Sequence, residues 1–219
     1  MAKLPEHARV VIIGQGGIVG ASVAHHLIAE GWDDIVGLEK SAIPTDIGST
    51  SHASDFCYMT SHDKLNVFTS TYSREFYRSR GNYIEIGGME VARKGDDERM
   101  LELQRKVASG KAFGSNAYMI SAAEAKEKFP LVEEDMIQGA MWDPDAGLVT
   151  PRSQKVAGDL VDEAVASGKL NTFAYTAANK IIVENGRAVG VETDKGTIMA
   201  DNVVPVSYTH LTLPTIYSV

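Results

Sequence analysis

The sequence holds little of what would commit it to a special environment. A single cysteine, Cys57, rules out an internal disulfide framework and suits a reducing compartment. As a lone thiol it reads as a small core residue. No apolar run approaches the ~20 residues that span a bilayer, and residues 1–7 have neither the apolar centre of a secretory leader nor the Arg- and Ser-rich character of a transit peptide. Basic charge is the minority: 21 Lys and Arg stand against 29 Asp and Glu, for a formal net charge of −8. That balance argues against nucleic acid or an anionic membrane surface as the main partner. The expectation is a cytoplasmic globular protein. At 219 residues and 44% hydrophobic, the chain can bury the core of one or two domains.

What is present concentrates between Arg9 and Glu39. Val10-Val11-Ile12-Ile13 is a short β-branched run, the pattern of a strand buried on both faces of a parallel sheet. Gly14-Gln15-Gly16-Gly17-Ile18-Val19-Gly20 then opens a helical pattern through Ala21, Val23, Ala24, Leu27 and Ile28 that ends at Gly31. A second strand, Ile35 to Leu38, stops on Glu39, with Lys40 beside it. Glycines at such a turn let a diphosphate approach backbone N–H groups and the positive end of the helix, while an acid at the tip of the second strand accepts from a ribose 2′-OH. Strand, loop, capped helix, strand and acid in that order are the confirming context; the plainer alternative is a βαβ unit whose glycines only tighten a turn. The usual GxGxxG spacing fits neither register, so the loop reads as one residue longer: Gly14 as the turn, Gly16 and Gly17 as the phosphate approach, Gly20 as the helix-packing position. Glu39 favours an unphosphorylated ribose, hence FAD or NAD over NADP.

After a loop carrying Pro44 comes Gly48-Ser49-Thr50-Ser51-His52-Ala53. Together with the βαβ unit, this stretch resembles the FAD-dependent amine oxidoreductases of the dimethylglycine oxidase, dimethylglycine dehydrogenase and sarcosine dehydrogenase group. The resemblance covers roughly residues 8–204. It implies an α/β fold: a Rossmann-like FAD-binding domain with a parallel sheet and a β-meander, plus part of an α+β substrate domain. It makes Ser49 and Thr50 diphosphate contacts and His52 the point of covalent flavin attachment; the alternative for His52 is a capping or polar neighbour of the cofactor. The implied intact enzyme takes a hydride from the N-methyl carbon of a small amino acid, and either releases formaldehyde or passes the one-carbon unit to tetrahydrofolate on a C-terminal domain. Two other readings stay open, a related flavoenzyme without covalent flavin and a non-catalytic fragment that binds a dinucleotide weakly. No substrate base is assigned.

Further along, 63–79 reads as a helix with apolar Leu65, Val67, Phe68, Tyr72 and Phe76, its aromatic stripe core rather than a cofactor box, and 83–92 as two strands meeting at a turn or bulge around Gly87-Gly88. A charged helix is expected from about Asp96 to Val107. Ser121 to Glu124 is a capping box for another. Ile137 to Trp142 reads as a strand, and Thr150-Pro151 as the N-cap and first residue of a helix running to Ala166. Leu170 to Tyr175 reads as a third parallel strand. Asn185-Gly186 and Lys195-Gly196 turn a meander that ends at Val204. On this reading residues 1–82 and 145–205 form an incomplete FAD-binding domain and 83–144 a substrate-domain segment. Val206 to Thr215 matches one reading frame of a transposase mosaic end and adaptor arm from sequencing libraries, so 206–219 reads as an adaptor-derived tail; the alternative is a natural alternating strand.

Overall fold

The computed structural model describes residues 3–206. In chain order the strands are β1 (His7–Ile13), β2 (Ile35–Leu38), β3 (Phe56–Cys57), β4 (Tyr83–Glu85), β5 (Gly88–Arg93), β6 (Tyr118–Ile120), β7 (Ile137–Asp143), β8 (Gly147–Val149), β9 (Leu170–Phe173), β10 (Ala178–Glu184), β11 (Arg187–Thr193) and β12 (Gly196–Pro205). The helices are α1 (Ile18–Ala29), α2 (Lys64–Ser79), α3 (Asp97–Ala112), α4 (Ala122–Lys128) and α5 (Ser153–Ala166). They fall into two compact units, residues 3–53 with 152–206, and Ser54–Pro151.

The first unit is built on a six-stranded sheet of order β10-β11-β12-β1-β2-β9. Strands β1, β2 and β9 run parallel, in register from Val10 opposite Ile35 and Ile35 opposite Leu170. β12 begins as the antiparallel partner of β11 and continues as the parallel partner of β1, from His7 opposite Met199 to Ile13 opposite Pro205. The hairpin into β11 turns on Asn185 and Gly186 with φ +51° and +77°, the left-handed pair that a two-residue hairpin demands. Val11, Ile13, Val36, Leu38, Val191 and Ile198 make one buried face of the sheet. By the two-residue period of a strand, Val10, Ile12, Ile35 and Gly37 point the other way. Helices α1 and α5 pack against each other, and their buried residues include Ala21 and Ala24 on one and Val156, Ala157 and Leu160 on the other. Each fully buried Ile or Leu in this unit contributes roughly 1.5–3 kcal/mol.

The second unit has two three-stranded sheets, β3-β8-β4 and β5-β7-β6. α3 covers the latter through Leu103 and Val107, which meet Ala92 and Met141. The fully buried Asp143 carboxylate accepts from Met59 N–H at 3.0 Å and Thr60 Oγ1 at 2.8 Å, tying the end of β7 to the chain after β3. The Ser121 capping box forms as read, with both its hydrogen bonds.

Three local expectations are corrected. The α2 stripe is not core: Leu65 and Phe68 are 66% exposed and Tyr72 52%, and the buried residue of the helix is Val67. The two strands read on either side of Gly87 are present as β4 and β5 and belong to different sheets. Thr150 does not cap α5; its N–H donates to Asn82 O and its carbonyl accepts from Asn82 Nδ2, both at 2.9 Å, so it continues the ladder between β8 and β4, and α5 begins at Ser153, two residues past Pro151, with Arg152 at its N-cap. α3 also runs on past Val107 to Ala112.

Candidate dinucleotide site

At the carboxyl ends of the parallel strands, β1 delivers the glycine loop, β2 delivers Glu39 and Lys40, β9 delivers residues 174–176, and β12 delivers Val206, whose N–H donates to Ile13 O at 2.9 Å. This edge is where open α/β sheets take ligands. A cleft of about 430 Å³ lies there, within the usual range for small-ligand sites. Seven of the residues expected from sequence line it: Gly14, Gly17 and Gly20 from the loop, Glu39 and Lys40 after β2, and Ser49 and Thr50 from a single 3-10 turn, Ser49–His52.

The glycines have distinct tasks. Gly14 takes φ +98°, the conformation glycine allows at no steric cost. Gly20 lets α1 rest on the loop: a Cβ there would come 2.2 Å from Gly14 O and 2.9 Å from Gln15 Cα. Gly16 is off the cleft wall, because its N–H donates to Glu39 Oε2 at 3.0 Å and its carbonyl accepts from Thr45 N–H at 2.9 Å. Gln15 is fully buried against Gly37, where an added Cβ would lie 2.5 Å from its Cγ.

α1 has no side-chain cap from its own N-cap, Gly17. Thr50 supplies one from a distance: its Oγ1 accepts the Ile18 N–H at 3.0 Å. With one of its two lone pairs so engaged, the Thr50 hydroxyl still has its proton to donate into the cleft that Thr50 lines. Thr50→Val, which keeps the shape and removes the acceptor, should lower stability by about 1 kcal/mol, the usual worth of a cap, while Thr50→Ser should not. Thermal unfolding of the two variants checks this, and equal melting would remove the capping role.

Glu39, 7% exposed, is the junction of the site. Besides Gly16 N–H, its Oε1 accepts from Ser41 N–H at 3.2 Å and Ser41 Oγ at 3.3 Å. Ser41 Oγ and Thr45 Oγ1 lie 2.8 Å apart, which fastens the loop after β2 beneath the glycines. His52 ends the 3-10 turn, exposed, and does not line the cleft, although its neighbour Ala53 does. Sequence reasoning missed Thr45 and Ile47, which line the wall from a loop without periodicity; their position after the second strand of a βαβ unit was the available signal.

The donor set fits a nucleotide diphosphate and ribose. A side-chain-free loop, a helix N-terminus and hydroxyls suit an anion, and a carboxylate across from them suits a diol. Among the described residues no cluster of His, Cys, Asp and Glu could hold a metal ion, and no helix is long and apolar enough to cross a membrane. The family model described as FAD dependent oxidoreductase matches residues 9–206. The chain belongs to this family.

Among curated proteins, the chain is 32% identical to the mitochondrial pyruvate dehydrogenase phosphatase regulatory subunit of Mus musculus, over 89% of the chain and 22% of that protein. It is 29% identical to the mitochondrial sarcosine dehydrogenase of Mus musculus, over 92% of the chain and 22% of that protein. It is also 29% identical to the formaldehyde-forming 4-methylaminobutanoate oxidase of Paenarthrobacter nicotinovorans, over 92% and 24%. The chain thus spans about a fifth to a quarter of the length of these relatives. Among solved structures, L-proline dehydrogenase from P. horikoshii superposes with a TM-score of 0.83 at 29% identity, covering 93% of this chain and 54% of that one.

Proposed function

We propose that residues 3–206 carry the ADP-binding half of the FAD site of an oxidoreductase that oxidatively demethylates a small N-methyl amino acid of the sarcosine or dimethylglycine type. The observation that carries the cofactor half is the convergence of Gly14, Gly17, Glu39 and Thr50 on one cleft at the carboxyl ends of β1 and β2. The substrate class rests on the likeness to sarcosine dehydrogenase and 4-methylaminobutanoate oxidase.

When bound, FAD supplies the two-electron acceptor for C–H oxidation. The chain's residues bind and orient it: the loop and the α1 N-terminus face the diphosphate, Thr50 donates to it, and Glu39 receives the ribose. His52 is the tether for the flavin ring, residues 83–144 belong to the substrate side, and the one-carbon unit leaves as formaldehyde or passes to tetrahydrofolate. A second reading has one observation in its favour, the 32% identity to a regulatory subunit: a flavin-binding unit whose task is regulation of a partner.

The test is FAD retention by the protein and by His52→Ala. Flavin absorbance near 450 nm should stay with acid-precipitated wild type and leave the variant, and sarcosine or dimethylglycine should bleach it anaerobically. Acid-stable flavin in His52→Ala overturns the tether. Bound flavin that neither amine bleaches favours the regulatory reading.

A further inference from the structure

We infer that Tyr175 is a stacking platform for the adenine base of the bound dinucleotide, an inference that rests on the cofactor reading above. Four non-glycine described residues have positive φ: Asp34, Asp55, Asn185 and Tyr175, the last at +51°. Asp and Asn tolerate that conformation through their short polar side chains, whereas a bulky residue there is a true outlier. Nor does packing explain the ring, which is 66% exposed. The turn needs the backbone conformation but not the tyrosine: Tyr175 N–H donates to Ser41 O at 2.9 Å and Thr176 N–H to Glu39 O at 2.8 Å, bonds that Gly or Asn would make with less strain. A strained residue whose side chain earns nothing in the fold points to a ligand.

Its place identifies which part of the ligand. β1, β2 and β9 are consecutive parallel neighbours, spaced by ~4.8 Å per strand. The loop after β1 faces the diphosphate, and Glu39 after β2 faces the ribose. The next step outward, the exit of β9, is where the base falls, and Tyr175 stands on that exit. The segment is held on both sides of it, because Lys195 Nζ donates to Ala174 O at 3.3 Å and to Thr176 Oγ1 at 2.9 Å. An aromatic ring on a braced turn loses little freedom on stacking.

The test compares ADP binding by calorimetry, and thermal unfolding, in wild type, Tyr175→Asn and Tyr175→Phe. Tyr175→Asn should melt no lower than wild type, because it relieves the backbone, yet bind ADP on the order of tenfold more weakly through loss of base stacking. Tyr175→Phe should bind within about twofold of wild type, since stacking needs the ring and not the hydroxyl. Tyr175→Asn that binds ADP as tightly as wild type overturns the inference and leaves the cofactor reading intact. Wild type that binds no ADP overturns both. Should Tyr175→Asn fail to fold, Tyr175→Leu takes its place, with the same tenfold loss expected and wild-type affinity again overturning the role.

Discussion

Gly20→Ala should destabilise the protein by about 3 kcal/mol or more, at the upper end of what overpacking costs. In an unhindered helix the same change would stabilise by about 1 kcal/mol, because alanine is the better helix former; the sign of the effect therefore decides between propensity and sterics. Sterics should win. The new Cβ would sit 2.2 Å from Gly14 O and 2.9 Å from Gln15 Cα, and both are backbone atoms that cannot rotate aside. Relief requires α1 to lift off the loop, which pulls Ile18 N–H from Thr50 and opens the cleft floor. Gly17→Ala is the control, because its Cβ would meet only Thr50 Oγ1, at 3.3 Å, and should cost under about 1 kcal/mol. Urea unfolding measures both, with the change read in the midpoint at constant slope. A Gly20 variant as stable as wild type would mean that the loop and helix are not in the contact described.

The residues that made this unit legible in the sequence act over short distances. Gly14, Gly20, Gly31 and Glu39 lie within one βαβ unit, and each is demanded by a local event: a left-handed turn, a close approach, a helix end, a strand tip. The meander is equally local, since Asn185-Gly186 can do little else than turn. What could not be read depends on distant partners. Thr45 belongs to the site because its N–H reaches Gly16 O and its hydroxyl Ser41, and no spacing rule carries that. Thr150 looks like a helix cap until Asn82 takes its backbone. The α2 stripe failed for a related reason: periodicity shows that Leu65, Phe68 and Tyr72 share a face, not whether anything covers it, and among the described residues they remain exposed. Gly16 shows the same limit more finely: read with Gly17 as the phosphate approach, it gives its N–H to Glu39, a partner 23 residues on.

Glu39→Ala should bring the largest loss in nucleotide binding, because one carboxylate serves both the protein and the ligand. An ionised carboxylate offers about four acceptor positions. Gly16 N–H, Ser41 N–H and Ser41 Oγ take three of them, so one remains for a ribose hydroxyl. Holding both ribose hydroxyls requires Ser41 Oγ to turn away, and it has Thr45 Oγ1 at 2.8 Å and Ala42 O at 3.4 Å to turn to. Hydrogen bonds to a charged group are worth about 1.5–3 kcal/mol each, and orphaned donors add to the loss. Glu39→Ala should therefore lower stability by about 2–4 kcal/mol and weaken ADP binding at least roughly a hundredfold, two charge-assisted bonds' worth. Glu39→Gln removes the charge and half of the acceptor positions: its carbonyl oxygen in the Oε2 place can keep Gly16 N–H and one further partner while its amide faces Ser41, so the fold should lose only about 1–2 kcal/mol, and the ribose keeps at most one neutral bond in place of a charge-assisted one, so ADP should bind more weakly. Calorimetric titration with ADP at a temperature where each variant is folded reads the binding arm. ADP affinity unchanged in Glu39→Gln would leave Glu39 as a clamp on the glycine loop and move the ribose contact to another residue of the cleft.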